Sequence, residues 1–106
     1  MTHAFTMKLI PGFEEEYKRR HDHIWPELES LLNNSGIKEY FIYLDEHTGT
    51  LFGFQNLESN HSTARLPNDP IVKKWWANMA DIMETNADNS PVEGTLKEVF
   101  KLKNNR

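Results

Sequence analysis

The chain contains no cysteine. Disulfide staples, thiolate nucleophiles and sulfur ligands are therefore out of reach, and the composition suits a reducing compartment. No stretch approaches the ~20 apolar residues that a membrane helix needs. The opening MTHAFTMKLIPG also lacks the basic-then-apolar order of a signal peptide. A cytoplasmic protein with no membrane association is expected. A surplus of positive charge is missing too: 12 Lys and Arg stand against 16 Asp and Glu, a formal net charge of −4. This argues against nucleic acid, whose binding rests on cations set against phosphates. The one basic run, Lys18, Arg19 and Arg20, follows Glu14, Glu15 and Glu16. On a helix that order places acids one turn before bases, which supports the helix without forming a basic patch. Repeats and low-complexity tracts are absent.

What is present is globular material. With 38% hydrophobic and 26% charged residues, the chain lies outside the disordered range. Residues 1–106 make a single domain, with a core thin enough that pairing with a second copy would help. HAFTMKLI alternates, with Phe5, Met7 and Leu9 on one face, and predicts a strand. From Pro11 to Gly36 the apolar residues recur at three- and four-residue steps, which predicts a helix that Gly36 can end in the left-handed conformation. IKEYFIYLDEHTGTLFGFQNLES predicts a hairpin turning near residues 47–49. The span 60–68 has the least regular pattern. NDPIVKKWWANMADIM predicts a second helix, with Asn68 or Asp69 as its cap and Pro70 in its first turn. NADNSPVEG is a polar, turn-rich loop, and TLKEVFKLK predicts a closing strand.

This order is the α+β, ferredoxin-like βαββαβ arrangement. The second strand is apolar on both faces, with Tyr40, Ile42 and Leu44 on one and Phe41 and Tyr43 on the other. A sheet with helices on one side only should be polar on its outer face. Here the second face calls for a cover as well. The sheet of another subunit would supply one and make a two-fold homodimer; a monomer holding a ligand in that open face is the other solution.

The densest chemistry lies in YKRRHDHIWPEL, residues 17–28. Tyr17 and His21, four apart, share a helical face. His23 lies about 200° around the helix from His21, so the two cannot chelate one metal; His3, His47 and His61 fall in no ligand spacing. No metal site is expected. Pro26 removes a backbone donor and its ring conflicts with the carbonyl of Asp22, so the helix should kink or break just after His21. Such breaks tend to mark functional sites. A second short helix starting at Pro26, with Tyr17, His21 and Trp25 as packing residues, fits the spacing slightly better when nothing else is considered. Trp75 and Trp76 point about 100° apart on a helix, so both can be core only if the helix is buried over a wide arc. Sugar pockets use such rings against C–H faces; a division into one core and one interface tryptophan fits the spacing as well.

Taken together, EEYKRRHDHIWPEL, YFIYLDEHTGTLF, KKWWANMADIM and NADNSPV resemble the L-rhamnose mutarotase family over nearly the whole chain. Ala87 departs from the family's usual proline, and residues 60–68 follow no family pattern. The resemblance implies a dimeric α+β barrel of ferredoxin-like subunits and an isomerase that interconverts the α and β anomers of L-rhamnopyranose in rhamnose metabolism, without a cofactor. It implies His21 as the catalytic proton donor and Tyr17, Tyr40, Trp75 and Trp76 as sugar-binding positions. The chemistry suits these residues: ring opening needs a proton on the ring oxygen and loss of one from the anomeric hydroxyl, and imidazole titrates near neutral pH. Tyrosine, with a pKa near 10, is a poor base at pH 7, so Tyr17 and Tyr40 are assigned to orientation. The two tryptophans should line the apolar face of the sugar, including its C6 methyl. Two other functions share the fold: a cofactor-independent monooxygenase or haem-degrading enzyme, and a non-catalytic sugar-binding module.

Overall fold

The computed structural model describes residues 1–104. Strand β1 runs Thr2–Lys8, and its alternation sends Phe5 and Met7 inward, with Leu9 following; each is at most 5% exposed. The predicted first helix is two helices, α1 at Glu14–Asp22 and α2 at Pro26–Asn34. The break falls where Pro26 requires it. Trp25 is extended at φ −63°, ψ 133°, and Pro26 takes the first position of α2, where its missing N–H costs nothing. Gly36, at φ +97°, ends α2 in the left-handed region.

Strands β2 (Ile37–Asp45) and β3 (Thr50–Leu57) form the expected antiparallel hairpin, and β3 pairs with β1. The 60–68 stretch is more ordered than its composition suggested: Thr63–Asn68 is a 3-10 helix. Helix α3 spans Pro70–Met79, and the Asp69 carboxylate accepts from the Ile71 N–H at 2.9 Å as its cap. The apolar stripe predicted for this helix outruns it. Ile82 and Met83 lie beyond its end, yet both are buried, with Met83 bridging to Leu9.

The sheet order is β2-β3-β1-β4, and the helices follow the βαββαβ sequence. The closing strand is the main correction. Only Gly94–Thr95 forms β4, opposite Thr6 and Phe5, and from Leu96 onward the chain leaves the sheet. Val99, Phe100 and Leu102 are 88%, 78% and 83% exposed, with no cover among the described residues. Phe5, Met7, Leu9, Tyr17, Leu51, Met79, Ile82 and Met83 form the central cluster between sheet and helices. Among the described residues no helix is long and apolar enough to cross a membrane.

Candidate functional site

Strand pairing builds the floor of a cleft. On the helix-facing side of the sheet, Leu44, Leu51 and Met7 form one cross-strand row, and Ile42, Gly53 and Phe5 the next. Gly53 is required there: a Cβ would lie 2.6 Å from the Phe5 ring, which occupies that space. The third row, Tyr40, Gln55 and His3, is polar, and the Phe5 ring bridges it by stacking on His3 (5.1 Å) and meeting Tyr40 edge-on (6.2 Å). The floor thus changes from apolar to hydrogen-bonding within two strand residues.

Helices α1 and α3 supply the walls. One turn of α1 places Tyr17 and His21 on the same face, and their rings stack at 4.2 Å. Trp75 from α3 meets the His21 ring edge-on at 5.4 Å and is itself braced edge-on by Trp25 at 5.1 Å. The break before Pro26 lets Trp25 turn back onto α3; the sequence reading treated it only as packing. All five positions singled out in the sequence, Tyr17, His21, Tyr40, Trp75 and Trp76, line one cleft of about 1050 Å³. This is at the upper end of small-molecule sites, which run to roughly 1,000 Å³.

The electrostatics assign distinct capacities to these groups. His21 Nδ1 lies 3.1 Å from the Tyr17 carbonyl oxygen. A carbonyl only accepts, so Nδ1 carries the proton and neutral His21 presents its lone pair at Nε2. Burial lowers the His21 pKa, partly opposed by that carbonyl and by Asp22. Burial pushes both Tyr17 and Tyr40 above the ordinary tyrosine range, with a smaller push on Tyr17 from Tyr40 and on Tyr40 from the Glu93 carboxylate. Both phenols therefore stay protonated and act as neutral hydrogen-bonding groups. Among the described residues no three His, Cys, Asp or Glu side chains cluster to hold a metal ion.

Behind the site a bracket joins its two walls. Arg20 donates from Nε to Glu16 at 2.7 Å, and from Nη1 to the Asn78 carbonyl at 2.6 Å and to Asp81 at 2.8 Å. These residues adjoin Tyr17 and His21 on one side and follow the tryptophan pair on the other. Sequence reasoning saw only the local Glu–Arg pattern on α1, since contacts across 58 and 61 residues leave no periodic signal. Asn89 and Glu93 also line the cleft and also went unnoticed, because they lie in what reads as a turn.

Comparisons with known proteins agree over the length of the chain. Residues 2–102 match the family model described as L-rhamnose mutarotase. An L-rhamnose mutarotase of Brucella anthropi is 61% identical over 100 residues, covering 94% of each chain. One of Flavobacterium johnsoniae is 60% identical over 99 residues, covering 93% of this chain and 92% of its own. A crystal structure of L-rhamnose mutarotase from Formosa agariphila superposes with a TM-score of 0.90 at 50% identity, covering 97% of this chain and 99% of that one. Extent and identity together place the chain: it belongs to the L-rhamnose mutarotase family.

Proposed function

We propose that this protein is an isomerase that interconverts the α and β anomers of L-rhamnopyranose. The observation that carries the reading is His21, held by the Tyr17 carbonyl and ring at the wall of an aromatic cleft with Nε2 uncommitted. In the proposed reaction the His21 imidazolium gives its Nε2 proton to the ring oxygen while a solvent water takes the proton of the anomeric hydroxyl. The C1–O5 bond opens, the carbonyl turns, and the ring closes on the other face as the protons return. Tyr17 and Tyr40 orient hydroxyl groups as neutral donors and acceptors. Trp75 and Trp76 pack against the apolar face and the C6 methyl, a contact worth about 1–3 kcal/mol of discrimination against a hexose. Anomer exchange followed by saturation-difference NMR tests the assignment. Substituting His21→Ala should cost roughly 10²–10⁴-fold, the usual contribution of one positioned acid–base group. Wild-type exchange in that variant would remove His21 from the chemistry.

The working form we propose is a homodimer. Phe41 and Tyr43 on the outer sheet face are 46% and 65% exposed, and the apolar residues after Leu96 have no cover among the described residues. A second sheet laid on that face would bury them and complete a dimeric α+β barrel.

A further inference from the structure

The segment 85–93 makes one wall of the cleft, contributing Thr85, Asn89, Pro91 and Glu93. It is closed on itself and tied to the sheet. Thr85 bridges to Pro91, the Asn86 N–H donates to the Ser90 carbonyl at 2.8 Å, and the Asn89 N–H donates to the Asn86 carbonyl at 3.0 Å. The Glu84 N–H donates to the Lys8 carbonyl at 3.0 Å, anchoring the loop to β1.

Three polar side chains of the loop, Asn86, Asp88 and Ser90, are committed within it. Asn86 Nδ2 donates to the Ser90 hydroxyl and the Pro91 carbonyl, and Asp88 accepts from both the Ser90 N–H and hydroxyl. Asn89 is different. Its carboxamide makes no hydrogen bond among the described residues, and it is the one non-glycine among them with positive φ, at 70°. Asparagine tolerates that conformation, but glycine would adopt it more readily. What glycine lacks is the carboxamide, which carries an acceptor and two donors in a fixed plane. That is the combination a pair of sugar hydroxyls requires, and it stays neutral while protons move nearby.

We infer that Asn89 is a substrate-binding, specificity-determining residue that reads ring hydroxyls of a sugar held in this cleft. The inference rests on the sugar chemistry proposed above. It adds a polar contact to a site otherwise described by aromatic rings and one imidazole. Glu93 already has electrostatic partners in His3 and Tyr40, and Thr85 offers one hydroxyl oxygen; of this wall's polar groups Asn89 alone presents separate donor and acceptor atoms in a neutral plane.

The test is the Asn89→Gly variant, which keeps the backbone conformation and removes only the carboxamide. Anomer-exchange kinetics, L-rhamnose binding by saturation-transfer NMR and thermal melting are measured together, with 2-, 3- and 4-deoxy analogues as further substrates. The expected result is an unchanged melting temperature and a fall in kcat/KM of about 10- to 100-fold on L-rhamnose. That loss should shrink on the one analogue lacking the hydroxyl that Asn89 holds. Asn89→Asp, which keeps acceptors and loses donors, should also be impaired. If wild-type protein exchanges L-rhamnose and Asn89→Gly does so with wild-type kcat/KM on every analogue, Asn89 is a turn residue and the assignment is overturned. Wild-type protein that neither binds nor exchanges L-rhamnose would instead overturn the proposed function, and this assignment with it.

Discussion

His21 combines two features that pull in opposite directions. Burial favours its neutral form, so its folded pKa lies below 6.5 and the imidazolium is a minor species at pH 7. The same shift makes that imidazolium a stronger acid toward a ring oxygen, which partly offsets its scarcity. If the imidazolium is the donor, kcat/KM for anomer exchange should be highest on the acid side of His21 and fall as pH rises through its folded pKa. Rate profiles corrected for spontaneous exchange check this, and a rise with pH across that range would assign His21 to the opposite role. A structural titration lies elsewhere on the same helix. Arg19 and Arg20 hold the Glu16 carboxyl down at about 2 against an ordinary 4.5. A depressed carboxylate stabilises the fold above its unfolded pKa, so this contribution should be intact above about pH 4.5 and lost as pH falls toward 2.

At the level of elements, the site depends on how α1 and α3 are held against each other. The Arg20 bracket does this directly, with its guanidinium shared among Glu16, Asn78 and Asp81. Only 17% of its side-chain surface is exposed, so it is better shielded than an ordinary surface pair. Arg20 is a positioning residue, remote in chemistry but adjacent in chain to His21. Replacing it by methionine keeps the aliphatic stem and removes the fork. Because displacement of about 1 Å can cost 10²-fold in rate, kcat should fall by roughly 10- to 100-fold. The KM for L-rhamnose should change much less, and lysine should restore only part of the loss. Kinetics equal to wild type would show that α1 and α3 hold their places without it. Pro26 works at the same scale: by ending α1 it frees Trp25 to brace Trp75, which an unbroken helix would not allow.

At the scale of the whole molecule, the two faces of the sheet have different fates. The inner face meets the helices and forms the cleft. The outer one leaves Phe41 and Tyr43 in solvent, and the tail residues Val99, Phe100 and Leu102 are exposed as well. Each such side chain gains about 1.5–3 kcal/mol on full burial, enough in sum to favour association. Sedimentation equilibrium should therefore give twice the 12.5 kDa chain mass. Tyr43→Glu combined with Phe100→Glu should shift the protein toward monomer. An active wild-type monomer at micromolar concentration would sink the proposed dimer.

Local pattern carried much of this protein. Alternation marked β1 and the hairpin, the three- and four-residue spacing marked the helices, and Pro26 marked the break after His21. These features are governed by neighbours along the chain, so periodicity records them, and the motif resemblance added the five candidate positions that line one cleft. The last strand was misread for the same reason: TLKEVFKLK alternates, but alternation does not record pairing, and among the described residues of this run Thr95 alone pairs, with Phe5 of β1. The Arg20 bracket, the Trp25 brace and the Asn89 wall were decided only by tertiary structure. Each joins residues distant in sequence or depends on a backbone angle, and neither long-range approach nor a single left-handed residue leaves a periodic trace.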